Sequence, residues 1–316
     1  MSTALGIIDA VILGIVEGVT EYLPISSTGH LVLARSLLGL DSPEDVRRNV
    51  DALLIVIQGG AILAVLGLYR SAVGRMILGL LGKDRQGLVL LRNIVIAFLP
   101  AMVLGPLLDS WIEQRLMHIG PVLLALALGG VIMILADRRF RSDAEHDTDR
   151  TGADLSALAA LQIGLLQCVA MWPGTSRSMV TILGGMMVGL RPARAAEFSF
   201  LLGLPTLGGA TVYKLAGNLL GDEPNMFAVL GWMPVTVGII VATISAALAI
   251  RWLVGYLTTH GLAVFGWYRI VLAAVLLALA IGGVVSIAPD EQTGQSADAA
   301  SSVVDTKALP SDPTRT

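Results

Sequence analysis

The sequence predicts an all-α polytopic membrane protein built on inverted-topology repeats with two re-entrant helical hairpins. Three observations carry that expectation. Hydrophobic residues make up 55% of the 316 and charged residues only 14%, with a mean hydropathy of +0.77; a soluble chain carries about 25% charged residues. Apolar runs long enough to cross about 30 Å of hydrocarbon recur along the chain. A short polar knot that interrupts an apolar helix occurs twice, in similar form. Charge and broken backbone are expensive at membrane depth and persist where they line a cavity. A matched pair of Gly/Pro-interrupted segments points to two halves around a central binding site.

Taken in order, the run 5–23 passes through the first knot and 30–40 resumes it. The second of these is too short to span, so 5–40 reads as a hairpin that enters and returns. Spans are expected near 52–69, 91–109, 118–136, 155–172, 196–216, 227–250 and 264–288. The run 179–190 follows the second knot, and 165–190 reads in part as a second hairpin. Gly14 with Gly18, and Gly185 with Gly189, have the spacing that lets helices pack closely. These runs define a membrane domain over 1–288, with repeat halves at about 1–115 and 155–288. Beyond Pro289 the chain becomes Ser/Asp/Thr-rich and aperiodic, so 289–316 is expected to be a disordered tail. The lone cysteine, Cys168, excludes an intrachain disulfide and a cysteine metal cage. No basic n-region precedes the first apolar run, so no cleavable signal is expected.

Loop charges orient the bundle. Arg70, Arg75, Lys83, Arg85 and Arg92 fall in 70–92, and Arg138, Arg139, Arg141 and Arg150 in 137–154, against only Arg115 in 109–117. The first two loops are expected in the cytoplasm and the third outside. With 155–172 crossing outward, both knots are expected to face the outer side.

The first knot reads Glu17-Gly-Val-Thr-Glu21-Tyr-Leu-Pro24-Ile-Ser26-Ser27-Thr28-Gly29-His30. Glu17 and Glu21, one helical turn apart, project from one face. Two carboxylates in an apolar setting repel, so one protonates, pairs with a base or binds a cation. Ser26, Ser27 and Thr28 open a new helix, where they either cap it or, with its free N–H groups and Gly29, form an anion site. His30 follows one turn later, and an imidazole can accept or donate a proton near neutral pH. The second knot, Gly164-Leu-Leu-Gln167-Cys-Val-Ala-Met171-Trp-Pro173-Gly174-Thr175-Ser176-Arg177-Ser178, adds a guanidinium fork suited to phosphate oxygens, and Thr181 lies one turn beyond Arg177. Carboxylates, hydroxyls, a histidine, an arginine and helix N-termini together suit a phosphate ester or anhydride.

These two stretches, with Ala196-Glu197-Phe-Ser-Phe-Leu-Leu202, resemble the undecaprenyl-diphosphate phosphatase family of bacteria, the bacitracin-resistance type, over about residues 3–288. The resemblance implies a polytopic fold with interlocking inverted repeats and two re-entrant hairpins. It implies hydrolysis of the terminal phosphate of undecaprenyl diphosphate, which recycles the lipid carrier for peptidoglycan and other cell-wall polymers and confers resistance to bacitracin. The family's Glu-x-x-x-Glu motif falls on Glu17 and Glu21, its Ser/His segment on Ser26, Ser27 and His30, and its Pro-Gly-x-Ser-Arg-Ser motif on Pro173 to Ser178. Met179-Val180 departs from the usual Gly-Ala, which leaves the polar groups in place.

The expected chemistry follows. Glu17, Glu21, Ser27, His30 and Arg177 are the candidate catalytic residues. Ser26, Thr28, Gly29, Gly174, Thr175, Ser176, Ser178 and Thr181 are the candidate phosphate-binding set. Ser27 is the preferred nucleophile with His30 as acid/base; His30 attacking directly, or water activated by Glu21, stay open. Glu17 and Glu21 are the candidate ligands of a divalent cation, Mg2+ or Ca2+, and no organic cofactor is expected. The expected partners are a polyprenyl diphosphate lipid and the bilayer, not nucleic acid, with a homodimer left open. The expected place is the bacterial cytoplasmic (inner) membrane, with the site facing outward. The other lipid-phosphatase type needs His and Asp where this chain has Leu183 and Met187. The competing reading of a different class is a transporter or flippase for a lipid phosphate.

Overall fold

In lipid every backbone amide must find its partner within its own segment or a closed sheet, so uninterrupted apolar runs become long helices. The computed structural model describes residues 5–40, 44–140, 150–220 and 225–283, and among them there are helices and turns but no strands. The helices are α1 (Ile7–Thr20), α2 (Ser27–Leu37), α3 (Glu44–Leu68), α4 (Arg70–Leu80), α5 (Arg85–Leu116), α6 (Ile119–Phe140), α7 (Ala157–Gln167), α8 (Arg177–Met187), α9 (Pro192–Leu220), α10 (Met226–Leu230), α11 (Trp232–Leu257) and α12 (Ala263–Ile281). The tail 289–316 and part of the 137–154 loop (141–149) lie outside the described residues.

Six stretches among the described residues are long and apolar enough to cross a membrane: Val50–Leu68, Arg85–Ile112, Ile119–Phe140, Pro192–Leu220, Trp232–Leu257 and Ala263–Ile281. Large apolar side chains point outward from them, Leu107 being 70% exposed and Val271 58%. That is the reverse of a soluble surface, and it suits lipid contact.

Three expectations are corrected. The run 155–172 is not a span: α7 has 11 residues, roughly 16 Å at 1.5 Å per residue, about half the hydrocarbon thickness. A short 3-10 turn, Cys168–Met171, and then Pro173-Gly174 end it, because proline and a glycine at φ +91° cannot continue a helix. The 70–92 region is not a loop but α4, a tight turn and the start of α5. Met76 and Gly79 bury one face of α4. At the turn the Arg75 guanidinium donates to Asp84 and holds its carboxyl below the usual carboxylate range, while Asp84 caps α5 through the Gly87 N–H. The run 227–250 is broken at Gly231 (φ +84°), and α11 continues to Leu257.

The glycine pairs divide. Gly14 and Gly18 do pack α1 against α11, facing Gly238 and Val241, and Ser245 and Ala242, respectively. Gly185 meets Ala195 of α9, but Gly189 (φ +90°) terminates α8 instead of packing it.

The chain before and after the connection near 150 is built alike. The two knots open helices of equal length, α2 and α8, each of 11 residues. Among the described residues, only Ser26 (φ 73°) and Ser176 (φ 75°) have positive φ without being glycine, and each immediately precedes one of these helices. Gly39 and Gly189, at the same offset, end them with positive φ. The corresponding long helices α6 and α12 run antiparallel: Gly130 faces Gly266, and the Leu262 N–H donates to Asp137 farther along α6. The packing is exchanged: α1 lies mainly on α11, whereas its counterpart α7 lies on α5. A buried core around Tyr22, Phe198, Phe200, Ile182 and Met179 closes beneath the two knots.

Candidate active site

The knots meet in the protein interior. Ser178 Oγ of the second donates to the Leu23 carbonyl of the first at 2.9 Å, and it is fully buried. Arg177 Nη2 donates to Glu21 Oε1 at 3.1 Å, with side chains only 9% and 6% exposed. Glu21 Oε2 accepts from Ser27 Oγ at 2.8 Å. One carboxylate thus joins the first hydroxyl of α2 to the guanidinium that opens α8. Arg177 is held on its other side by the Ser199 carbonyl, at 2.9 Å from Nη1, and lies over the Tyr22 ring at 5.3 Å. Such a buried pair is rigid, and removing one partner typically costs about 3–5 kcal/mol because the other is left uncompensated.

The remaining expected residues separate into supports and packing. Thr181 Oγ1 donates to the Arg177 carbonyl at 2.8 Å and lies 2.6 Å from Ser199 Oγ, so it braces the guanidinium's own turn. Ser176 Oγ accepts from the Met179 N–H and caps α8. Ser26, in the same position before α2, makes no such side-chain cap, so the α2 N-terminus presents its amides as an anion site does. Gly29 faces Leu126, Leu272 and Leu276 and acts as a packing residue. Thr28 is half-buried in the first turn of α2, and Thr175 is buried beside Gly174.

His30 is not brought to Ser27. Its Nδ1 lies 2.8 Å from the Ser26 carbonyl and its Nε2 2.7 Å from Tyr268 Oη. A carbonyl only accepts, so Nδ1 carries the hydrogen and the Nε2 of the neutral ring accepts from Tyr268. The base at hydrogen-bond distance from Ser27 is Glu21.

Glu17 is 1% exposed and its Oε2 has no hydrogen-bond partner. The buried side-chain polar atoms without a partner among the described residues are Glu17 Oε2, Tyr22 Oη, Gln167 Nε2, Arg177 Nε and Arg269 Nη1. Four of the five belong to the two knots. Buried orphan polar groups are rare and concentrate where a ligand binds. No group of three or more His, Cys, Asp or Glu side chains among the described residues could hold a metal ion. Glu17 and Glu21 are the two carboxylates of the first knot, and the partnerless Glu17 oxygen would suit a cation held there.

Sequence reasoning missed Tyr22, Ser199, Tyr268 and Arg269. Ser199 and Tyr22 sit inside quoted motifs but carry no charge to mark them. Arg269 did have a signal, as an ionisable residue inside an apolar span. Next to the site, an apolar cleft of about 760 Å³ lies between α1 and α11, lined by Val19, Leu23, Val241, Leu248 and Trp252 among others.

With this geometry in hand, the comparisons with known proteins are specific. The family model described as bacitracin resistance protein BacA matches residues 10–275. The chain is 44% identical over 283 residues to an undecaprenyl-diphosphatase 2 of Rhodospirillum rubrum, covering 89% of this chain and 97% of that protein. It is 44% identical over 271 residues to an undecaprenyl-diphosphatase of Sorangium cellulosum, covering 85% of each. It is 42% identical over 289 residues to one of Methylibium petroleiphilum, covering 88% of this chain and 96% of that protein.

Proposed function

The chain belongs to the bacitracin resistance protein BacA family, and on that premise we propose that it is a membrane hydrolase converting undecaprenyl diphosphate to undecaprenyl phosphate and inorganic phosphate. The activity returns the lipid carrier to cell-wall polymer synthesis and gives resistance to bacitracin. The observation that carries the mechanism is the shared carboxylate: Glu21 accepts from Ser27 and pairs with Arg177.

Ser27 Oγ attacks the terminal phosphorus and passes its proton to Glu21. The bond from that phosphorus to the bridging oxygen breaks, and undecaprenyl phosphate leaves with the proton returned by Glu21, which is a free carboxylate again for the second step. Water then hydrolyses the phosphoserine to free phosphate, with Glu21 again handling the proton. Arg177 moves its charge from Glu21 to the phosphate oxygens as the transition state forms, joined by the N–H groups at the start of α2. His30, tethered by Ser26 and Tyr268, orients the first turn of α2. Where a divalent cation binds, Glu17 and Glu21 would hold it, and it would neutralise phosphate charge. The apolar cleft beside Leu23 takes the first isoprene units of the lipid tail.

The two short helix pairs, α1–α2 and α7–α8, are read as re-entrant hairpins, since neither α2, α7 nor α8 can cross the bilayer. The excess of Arg and Lys around the α4–α5 turn and the end of α6 supports a cytoplasmic place for those ends, in the cytoplasmic membrane, with the site opening outward. In a Cys168→Ala background, a cysteine at Asp109 should react with an impermeant thiol reagent in intact cells, and one at Lys83 only after permeabilisation; the opposite pattern inverts the orientation. The activity itself is tested with purified protein in detergent. Phosphate release from a polyprenyl diphosphate is expected, whereas binding without release would favour a lipid-phosphate transporter.

A further inference from the structure

We propose that Arg269 is a second cation of the phosphate site, which binds a diphosphate oxygen alongside Arg177. The inference rests on the diphosphate-hydrolase reading above and adds a substrate-contacting residue to it. Consecutive residues of α12 reach both knots: Tyr268 Oη bonds His30 Nε2 of the first at 2.7 Å, and Arg269 Nη2 donates to the Gly174 carbonyl of the second at 2.9 Å. Arg269 also donates to the carbonyls of Ala125, at 3.0 Å from Nη2, and Leu126, at 3.3 Å from Nε. Its side chain is 0% exposed, and Nη1 has no partner.

Every one of these partners is a neutral carbonyl. Among the described residues no carboxylate pairs with Arg269, whereas Arg177 is neutralised by Glu21. An arginine cannot discharge by losing its proton, and a buried charge without a counter-charge is strongly unfavourable. The chain nevertheless makes room for it: Gly129 of α6 lies where any side chain would collide with the guanidinium. A fixed, uncompensated cation beside the Gly174 turn is what a polyanion needs. One guanidinium already shared with a carboxylate would leave most of a diphosphate's charge unmatched.

The alternative is a neutral brace that merely holds the Gly174 carbonyl, and the two differ in what they do to anion binding. The probe is a non-hydrolysable farnesyl methylenediphosphonate, with the purified full-length protein. Arg269→Gln, which keeps hydrogen-bond donors but removes the charge, should raise the dissociation constant of the diphosphonate tenfold or more and raise KM for a polyprenyl diphosphate in proportion. Arg269→Lys should recover most of that loss, and the melting temperature of ligand-free Arg269→Gln should stay near that of the wild type. Unchanged diphosphonate affinity in Arg269→Gln, with a lowered ligand-free melting temperature, makes Arg269 a brace and overturns the inference. A wild-type structure with the diphosphonate bound is a second measure that does not depend on the variant folding. A phosphonate oxygen within about 3.2 Å of the guanidinium is expected, and bound phosphonates with no oxygen near Arg269 would overturn the inference equally. Failure of the wild type to bind the diphosphonate removes the hydrolase reading and this inference with it, whereas binding that ignores Arg269 removes this inference alone.

Discussion

The two knots share a backbone and divide the chemistry. Each places a strained serine, Ser26 or Ser176, before an 11-residue helix that ends on a positive-φ glycine. On that common frame Glu17 corresponds to Gln167, Ser27 to Arg177, and His30 to Val180. The first knot holds the carboxylates, the hydroxyl aimed at one of them and the histidine. The second holds the guanidinium and the serine that stitches the knots together. Ser176 spends its side chain capping α8, while Ser26 leaves the start of α2 uncapped. The lesson is that a duplicated scaffold supplies the geometry, here two helix N-termini linked through the Glu21 carboxylate. Divergence at a few positions then gives one half the carboxylates and the hydroxyl and the other the guanidinium, the division on which the proposed mechanism rests.

That division can be broken by substitution. The largest effect is expected on the reacting side: Ser27→Ala should lower kcat by about 10³-fold or more, roughly 4 kcal/mol, while a diphosphate lipid still binds. Robust turnover in that variant, measured as phosphate release, would move the nucleophile elsewhere in the first knot. Next comes the residue that joins the two sides. Glu21→Gln should cost about 10²-fold in kcat, roughly 2.7 kcal/mol, and added divalent cation should not restore it. A double-mutant cycle with Arg177→Ala should show strong coupling, since each single change strands a buried partner; additive effects would mean the pair seen here is not functional. The smallest of the three is on the charge-stabilising side. Arg177→Lys keeps the charge and loses the fork, so kcat/KM should fall at least about tenfold, near 1.4 kcal/mol, and near-wild-type kinetics would reject the phosphate-clamp role.

Much of this was legible in the sequence because membranes make polar groups costly. The fold class followed from composition and run length, and both knots stood out as polar interruptions of apolar helices. Five of the seven expected spans lie largely within long helices, and 227–250 differs from its helix by a break at Gly231. The failure at 155–172 is instructive: apolar content there matches a span, with Leu158, Leu165 and Val169 still facing outward, but Pro173-Gly174 ends the helix halfway. The α4 helix was hidden because Arg70 and Arg75 read as loop charges, although they are exposed residues of a helix that buries Met76 and Gly79. Within the site, residue types were readable but their pairings were not. Glu21, rather than His30, meets Ser27, because the Ser26 carbonyl takes His30 Nδ1 while Tyr268 takes Nε2. Arg269 carried the signal of an ionisable residue in an apolar span, but nothing in its local sequence says that α12 reaches both knots.

The central claim is that the first knot supplies the attacking atom and the second holds the charge. It is tested most directly by rapid acid quench of the purified protein reacting with a polyprenyl diphosphate labelled on the terminal phosphate, followed by mapping of the labelled peptide. The account predicts an acid-stable phosphoserine at Ser27, formed with burst kinetics and absent from Ser27→Ala. A base-stable, acid-labile phosphohistidine at His30, trapped in a parallel alkaline quench while Ser27 carries no label in the acid quench, would contradict it.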